Sequence, residues 1–155
     1  MISPELLRRY PFFGPLNDAQ LKAIAMIADE VTIEKGVTLF KEKEPAVAMY
    51  LLKEGSIDLF YTVEEEHPEF RKEFPVGEIN PGEPFGISSI IDPYILTSTA
   101  RAASSSQLVR ISSGPLRALC EVDNELALIF LRQVAKVALE RLGATRVQLA
   151  AAWAE

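Results

Sequence analysis

Between residues 29 and 112 the chain is a succession of short β-prone runs, several of them closed by a glycine turn. Val31-Thr32-Ile33 and Val37-Thr38-Leu39-Phe40 flank Glu34-Lys35-Gly36. Met49-Tyr50-Leu51-Leu52 and Ser56-Ile57-Asp58-Leu59-Phe60-Tyr61 flank Lys53-Glu54-Gly55. Phe74-Pro75-Val76 and Glu78-Ile79 follow, then the loop Asn80-Pro81-Gly82-Glu83-Pro84-Phe85-Gly86, then Thr97 to Ala103 and Leu108 to Ile111. Strands this short bury an apolar face only by closing on one another, which predicts a mainly β fold of jelly-roll or barrel type. The acidic run Glu64 to Glu69 reads as a solvated connection.

Helices flank this β region. Ser3-Pro4-Glu5 is an N-cap followed by proline at the first helical position, and Tyr10-Pro11 ends that turn. Asn17-Asp18 caps a second helix with Leu21, Ile24, Ala25 and Ile27 on one face. Beyond the strands, Ser113 is read as the cap of Pro115 to Cys120, and Asp123 or Asn124 as the start of a much longer helix. Carried through to Trp153, that helix is about 45 Å long, more than a small roll covers by itself. Gly143 marks a place for a kink or an early stop. Leu128, Leu131, Ala135, Ala138, Leu142, Thr145 and Leu149 recur at steps of three or four, a coiled-coil-like seam, while Arg132, Lys136 and Glu140 mark the opposite, wet face. The organisation expected is one domain over residues 1–155: a helical lid (1–28), a β-roll (29–112) and C-terminal helices (113–155) that include a dimerisation helix.

Composition narrows the function. With 48% hydrophobic and 25% charged residues the chain is globular. Its one cysteine, Cys120, excludes Cys-ligated zinc and iron–sulfur sites, and its one histidine, His67, excludes multi-histidine metal sites, so no metal and no catalytic group is assigned. The net charge of −6 argues against nucleic-acid or membrane-surface binding. The charged start MISPELLRRY is no secretory signal, and no run approaches the ~18 uncharged apolar residues of a membrane helix. A reduced, cytoplasmic setting is expected.

Gly36, Tyr50-Leu51-Leu52, Gly55 and Pro81 to Gly86, in that order and followed by a long C-terminal helix, resemble a cyclic-nucleotide-binding domain. This is the β-roll module shared by catabolite activator protein and cyclic-nucleotide-dependent kinases, and the likeness covers about residues 5–150. One departure is the loop before Tyr50, where Lys43-Glu44-Pro45 stands in place of the family's usual glycine.

The resemblance implies a ligand pocket at Gly82, Glu83, Phe85, Gly86, Ile87, Ser88, Ser89, Leu96, Thr97, Ser98 and Thr99. It also implies a glutamate after Phe-Gly, for the ribose hydroxyl, and nine or ten residues later an arginine for the cyclic phosphate. Ile87 stands at the first place and Leu96 or Thr97 at the second. Arg101 matches a later basic position, roughly 16 Å of strand away, and is expected to face the surface or a partner. Three contents of the pocket stay open: Ile87 and Leu96 filling it, a different small ligand held by serines, threonines and backbone N–H groups, or a cyclic nucleotide.

Relatives that regulate transcription place a helix-turn-helix after the long helix. Here Arg132, Lys136, Arg141 and Arg146 are matched by Glu121, Asp123, Glu125, Glu140 and Glu155, which is no footprint for DNA. The expectation is a non-enzymatic regulatory or sensor module, homodimeric through its C-terminal helix, with weakened or lost cyclic-nucleotide binding and with another small ligand or a protein partner left open. A cAMP- or cGMP-binding effector domain and a cupin-like enzyme are the alternatives, and no cofactor is assigned. Phe130, Val134, Val137 and Leu139 are expected to relay occupancy, and Trp153 to anchor the interface.

Overall fold

The computed structural model describes residues 1–64 and 71–154. Most of the acidic connection, with His67, lies outside them. Eight strands are described: β1 (Ala28–Ile33), β2 (Thr38–Phe40), β3 (Ala48–Glu54), β4 (Ile57–Val63), β5 (Lys72–Ile79), β6 (Pro84–Phe85), β7 (Thr99–Ala102) and β8 (Ser106–Ser112). They form two antiparallel sheets, one in the order β1-β8-β3-β6 and the other in the order β2-β7-β4-β5.

Strand β3 explains the layering. Its side chains alternate between faces, yet Ala48 to Leu52 are all buried. Tyr50 and Leu52 pack between the sheets with Ile57, Leu59, Ile79, Phe85, Ala100 and Leu108. Met49 and Leu51 face the opposite way, onto a helical layer with Val109 and Ile111 of β8. A strand covered on both sides reads as an unbroken apolar run, as Met49 to Leu52 does.

The helical layer holds α1 (Pro4–Arg8), a 3₁₀ turn (Pro11–Phe13), α2 (Asp18–Met26), α3 (Ser113–Val122) and α4 (Asn124–Trp153). Ser3 caps α1, and Asn17 with Gln20 forms a capping box on α2. Asp123 caps α4 by accepting the Leu126 N–H at 3.0 Å. The Phe130 ring stands edge-on to Phe12, with centroids 5.5 Å apart, and together with Val134 it ties the first half of α4 to the amino-terminal turns. Gly143 interrupts nothing, because the helix runs on to Trp153.

Several expectations need correction. Phe74 to Val76 and Glu78-Ile79 are one strand, β5. It lies at a sheet edge, where Pro75 is tolerated, and a register shift opposite Leu59 and Phe60 accommodates Val76 as an extra residue. Pro84-Phe85, read as loop, forms β6 by pairing with Leu51 and Tyr50. Ser112, not Ser113, is the cap position of α3; the Ser113 hydroxyl is buried without a partner.

Candidate functional site

The loop after β5 turns at Gly82 (φ 90°) and is pinned to β3 by Gly82 N–H to Leu52 O at 2.8 Å and Leu52 N–H to Glu83 O at 3.1 Å. The Glu83 carboxylate accepts the Asn80 N–H at 3.0 Å and so serves its own turn. Phe85 is fully buried and stacks on Tyr50 at 5.3 Å, with Phe40 6.0 Å away. Gly86 follows at φ 69°, a left-handed conformation that favours glycine, and a Cβ there would sit 3.1 Å from the Ala48 carbonyl, a tight contact that the neighbour would have to relieve. It opens the short 3₁₀ helix Ile87–Ile90.

This turn borders an inner pocket of only about 30 Å³, lined by Phe40, Leu59, Phe85, Gly86, Ile87, Ser88, Leu96, Thr97, Ser98 and Arg141. That is room for about one water. Leu96 is 5% exposed, and Ile87 packs also against the helical core. Two of the expected pocket residues are turned to other work. Ser89 is fully buried and donates its hydroxyl to Gly86 O at 2.9 Å, while the Thr99 hydroxyl accepts the Glu42 N–H at 3.2 Å. Gly82 and Glu83 instead line an outer cleft of about 570 Å³ between the second sheet and α4, which shares Leu59, Thr97, Ser98 and Arg141 with the inner pocket.

Two arginines missed by sequence reasoning hold this region. Arg117 of α3 donates from Nε to Ser89 O at 2.6 Å and from Nη2 to Ala46 O at 3.0 Å, and its guanidinium lies 4.0 Å from the Tyr94 ring centre. Arg141 of α4 donates from Nη2 to Pro84 O. Its burial lowers its pKa, against the pull of Glu83 and Glu140. The available signal for Arg117 was its place between Leu116 and Leu119 in the amphipathic helix α3. For Arg141 it was a position one residue ahead of Leu142, away from the seam.

Arg101 is partly exposed. It forms a bidentate pair with Glu73, at 2.9 and 3.0 Å, and lies over the Phe60 ring at 4.8 Å on the outer side of the second sheet. This pairing raises the arginine pKa and lowers that of Glu73. Cys120 is partly buried, and burial first, then Asp123, raises its thiol pKa, which suits a small packing residue rather than a nucleophile.

The seam residues Leu128, Leu131, Ala135, Ala138, Leu142 and Leu149 are exposed along α4. Thr145 turns its hydroxyl to Arg141 O at 2.8 Å and lines the outer cleft, as do Lys136 and Glu140, which the sequence placed on a wet face. Val134 and Phe130 are buried, Val137 is partly buried and Leu139 is exposed. Trp153 is 83% exposed. No helix among the described residues is long and apolar enough to cross a membrane.

Comparison with known proteins agrees with this architecture. Residues 30–123 match the model of the cyclic nucleotide-binding domain. A Geobacter metallireducens protein, given as a candidate cyclic nucleotide-binding protein, is 40% identical with a TM-score of 0.81, over 92% of this chain and 99% of that one. The N-terminal domain of a Streptomyces coelicolor transcriptional regulator is 32% identical with a TM-score of 0.66, over 87% and 93%. A cyclic nucleotide-gated potassium channel of Mesorhizobium japonicum is 29% identical over 90% of this chain and 35% of its own length. The chain spans about a third of the length of the curated relatives it matches. With the ordered glycine turns, the β-roll and the long C-terminal helix, these matches show that the chain belongs to the cyclic nucleotide-binding domain family, as a regulatory domain.

Proposed function

We propose that this chain is a non-enzymatic sensor module of its family, homodimeric through α4 and cytoplasmic, in which cyclic-nucleotide binding is weak or lost. Another small ligand or a protein partner then sets its state. The observation that carries this reading is the chemistry of the wall: Ile87, Leu96 and Thr97 stand where the resemblance implies a glutamate and an arginine. Losing a buried partner of a charged group costs about 2–5 kcal/mol, so phosphate affinity is expected to fall roughly 30-fold to several thousand-fold. The missing ribose contact adds to that.

The homodimer reading rests on α4. Leu128, Leu131, Leu142 and Leu149 present a leucine row to solvent, and a helix pairing with its own copy covers such a row symmetrically. Arg117 supports a regulatory role, since it links the 3₁₀ turn to α3 and hence to the base of α4. A shift of that turn on ligand or partner binding would pull on the helix that carries the seam.

The test restores what is missing. The variant Ile87→Glu with Thr97→Arg, checked by circular dichroism for an intact fold, is expected to bind cyclic AMP or cyclic GMP at least about 30-fold more tightly than the unmodified chain. Unmodified protein that already binds as tightly as the variant contradicts the reading.

A further inference from the structure

We propose that a third cavity, of about 210 Å³ between the two sheets, is a binding site for a small neutral aromatic molecule that carries one hydrogen-bond acceptor. No residue of α4 lines it, and it shares none of its walls with the outer cleft, so the proposal goes beyond the sensor reading of the inner pocket.

Three observations carry it. The first is the frame. Ala48 and Tyr50 of β3 lie across the cavity from Leu39 and Phe40 of β2. The loop that closes it is stitched by its backbone to residues 94–96: Lys43 N–H to Leu96 O at 2.8 Å, Leu96 N–H to Glu44 O at 2.9 Å, and Ala46 N–H to Tyr94 O at 2.8 Å. Such walls are formed in advance, as those of ligand sites usually are. The volume exceeds the roughly 150 Å³ of an apolar cavity that holds benzene, and it lies below the roughly 300 Å³ at which sites for larger molecules begin. That sets the occupant at one or two rings.

The second is Tyr50. Its ring is stacked on Phe40 at 5.9 Å and on Phe85 at 5.3 Å, and the residue is 6% exposed. Among the described residues its hydroxyl meets no donor or acceptor, yet it is not sealed off as the Ser113 hydroxyl is. A phenol so deeply buried ordinarily finds a partner, and an acceptor on the ligand supplies one. Phe40 and Tyr50 both line the cavity and give an aromatic ring something to pack against.

The third is charge. Glu44 is the one charged residue in the lining among the described residues, and its Oε1 accepts the Lys41 N–H at 2.7 Å. Lys41 and Lys43, on the same loop, do not line the cavity. An anion would meet the Glu44 carboxylate with no cation beside it. A cation would gain little from one exposed carboxylate against the cost of burying its own charge. A neutral ring avoids both. Phe40 and Leu96 also line the inner pocket, and Arg117 holds both Ala46 O and Ser89 O, so a bound ring bears on the 3₁₀ turn and on α3.

The probes are phenol, its isostere toluene, in which a methyl replaces the hydroxyl, and benzoate. Each is titrated into the full chain at neutral pH with backbone amide shifts followed by NMR. Phenol is expected to bind at about millimolar strength or tighter and to shift the amides of Leu39, Val47 and Tyr50. Benzoate is expected to bind at least about fivefold more weakly. Tyr50→Phe is expected to weaken phenol by about 3- to 10-fold while changing toluene less than about twofold. Ala48→Leu fills the cavity and removes both arenes, and Tyr50→Phe decides the matter should the leucine variant fold poorly. Absence of shifts with either arene, shifts confined to α4, equal loss of both arenes in Tyr50→Phe, unchanged binding in a folded Ala48→Leu, or benzoate binding as well as phenol would overturn the proposal. Tight cyclic-nucleotide binding alongside the expected phenol pattern defeats the sensor reading of the inner pocket and leaves this assignment standing.

Discussion

The Arg117 side chain closes on the carbonyl of Ser89 at 2.6 Å, joining a helix that follows the roll to the short turn in front of the inner pocket. The same guanidinium reaches Ala46 O at 3.0 Å and lies over Tyr94, so one side chain binds three otherwise separate segments. Arg117→Met keeps the aliphatic stem and removes two charge-assisted hydrogen bonds and a cation–π contact. It is expected to lower stability by about 2–4 kcal/mol in denaturant unfolding, with Arg117→Lys recovering less than half, because an ammonium lacks the planar fork.

Gly55 joins β3 to β4 at φ +103°, and a Cβ there would lie 2.2 Å from Ser106 Oγ and 2.7 Å from Ser105 O. Both the backbone conformation and the neighbouring main chain refuse a side chain. Gly55→Ala is expected to cost about 3 kcal/mol or more by chemical denaturation. Gly114→Ala, with nothing within 4 Å, is the control and is expected to cost far less.

The order of these turns was legible because each is a glycine flanked by apolar runs, and that order carries the roll. Strand boundaries were less so. Pro84-Phe85 is two residues long and is a strand only because Leu51 and Tyr50 of β3 pair with it, which no local pattern announces. The pocket residues were placed by resemblance, and most do border one of the two cavities. Ser89 and Thr99 differ because a hydroxyl three residues from Gly86 O, or beside the Glu42 N–H, finds a backbone partner first. Arg141 was invisible for another reason. It is 57 residues from Pro84 in sequence, and only the docking of α4 on the roll brings the two together.

The Glu73–Arg101 pair makes a pH-dependent prediction. Arg101 holds the Glu73 carboxyl below its ordinary value of 4.5, so the folded state binds that proton less readily than the unfolded chain. Its stabilisation is therefore present above that value and is lost as the pH falls through the lowered folded value. Glu73→Gln is expected to flatten this part of the acid unfolding curve while changing little at pH 7, as suits a partly solvated pair. Identical acid profiles for the two proteins would contradict it.

Leu142 is 45% exposed at the middle of the proposed seam. Leu142→Asp places a charge there and is expected to convert a dimer into a monomer by light scattering, with the roll still folded by circular dichroism. An unmodified chain that is monomeric at every concentration removes the dimer from the account.

Calorimetric titration of the unmodified protein with cyclic AMP and cyclic GMP, carried to millimolar ligand, tests the central claim most directly. A site with Ile87, Leu96 and Thr97 where the family resemblance implies a glutamate and an arginine predicts no binding heat at micromolar ligand and at most weak heat near millimolar. Micromolar binding would contradict it, and would mean that Ser98, Thr97 and the backbone N–H groups of the Ile87–Ile90 turn replace the absent charge contacts.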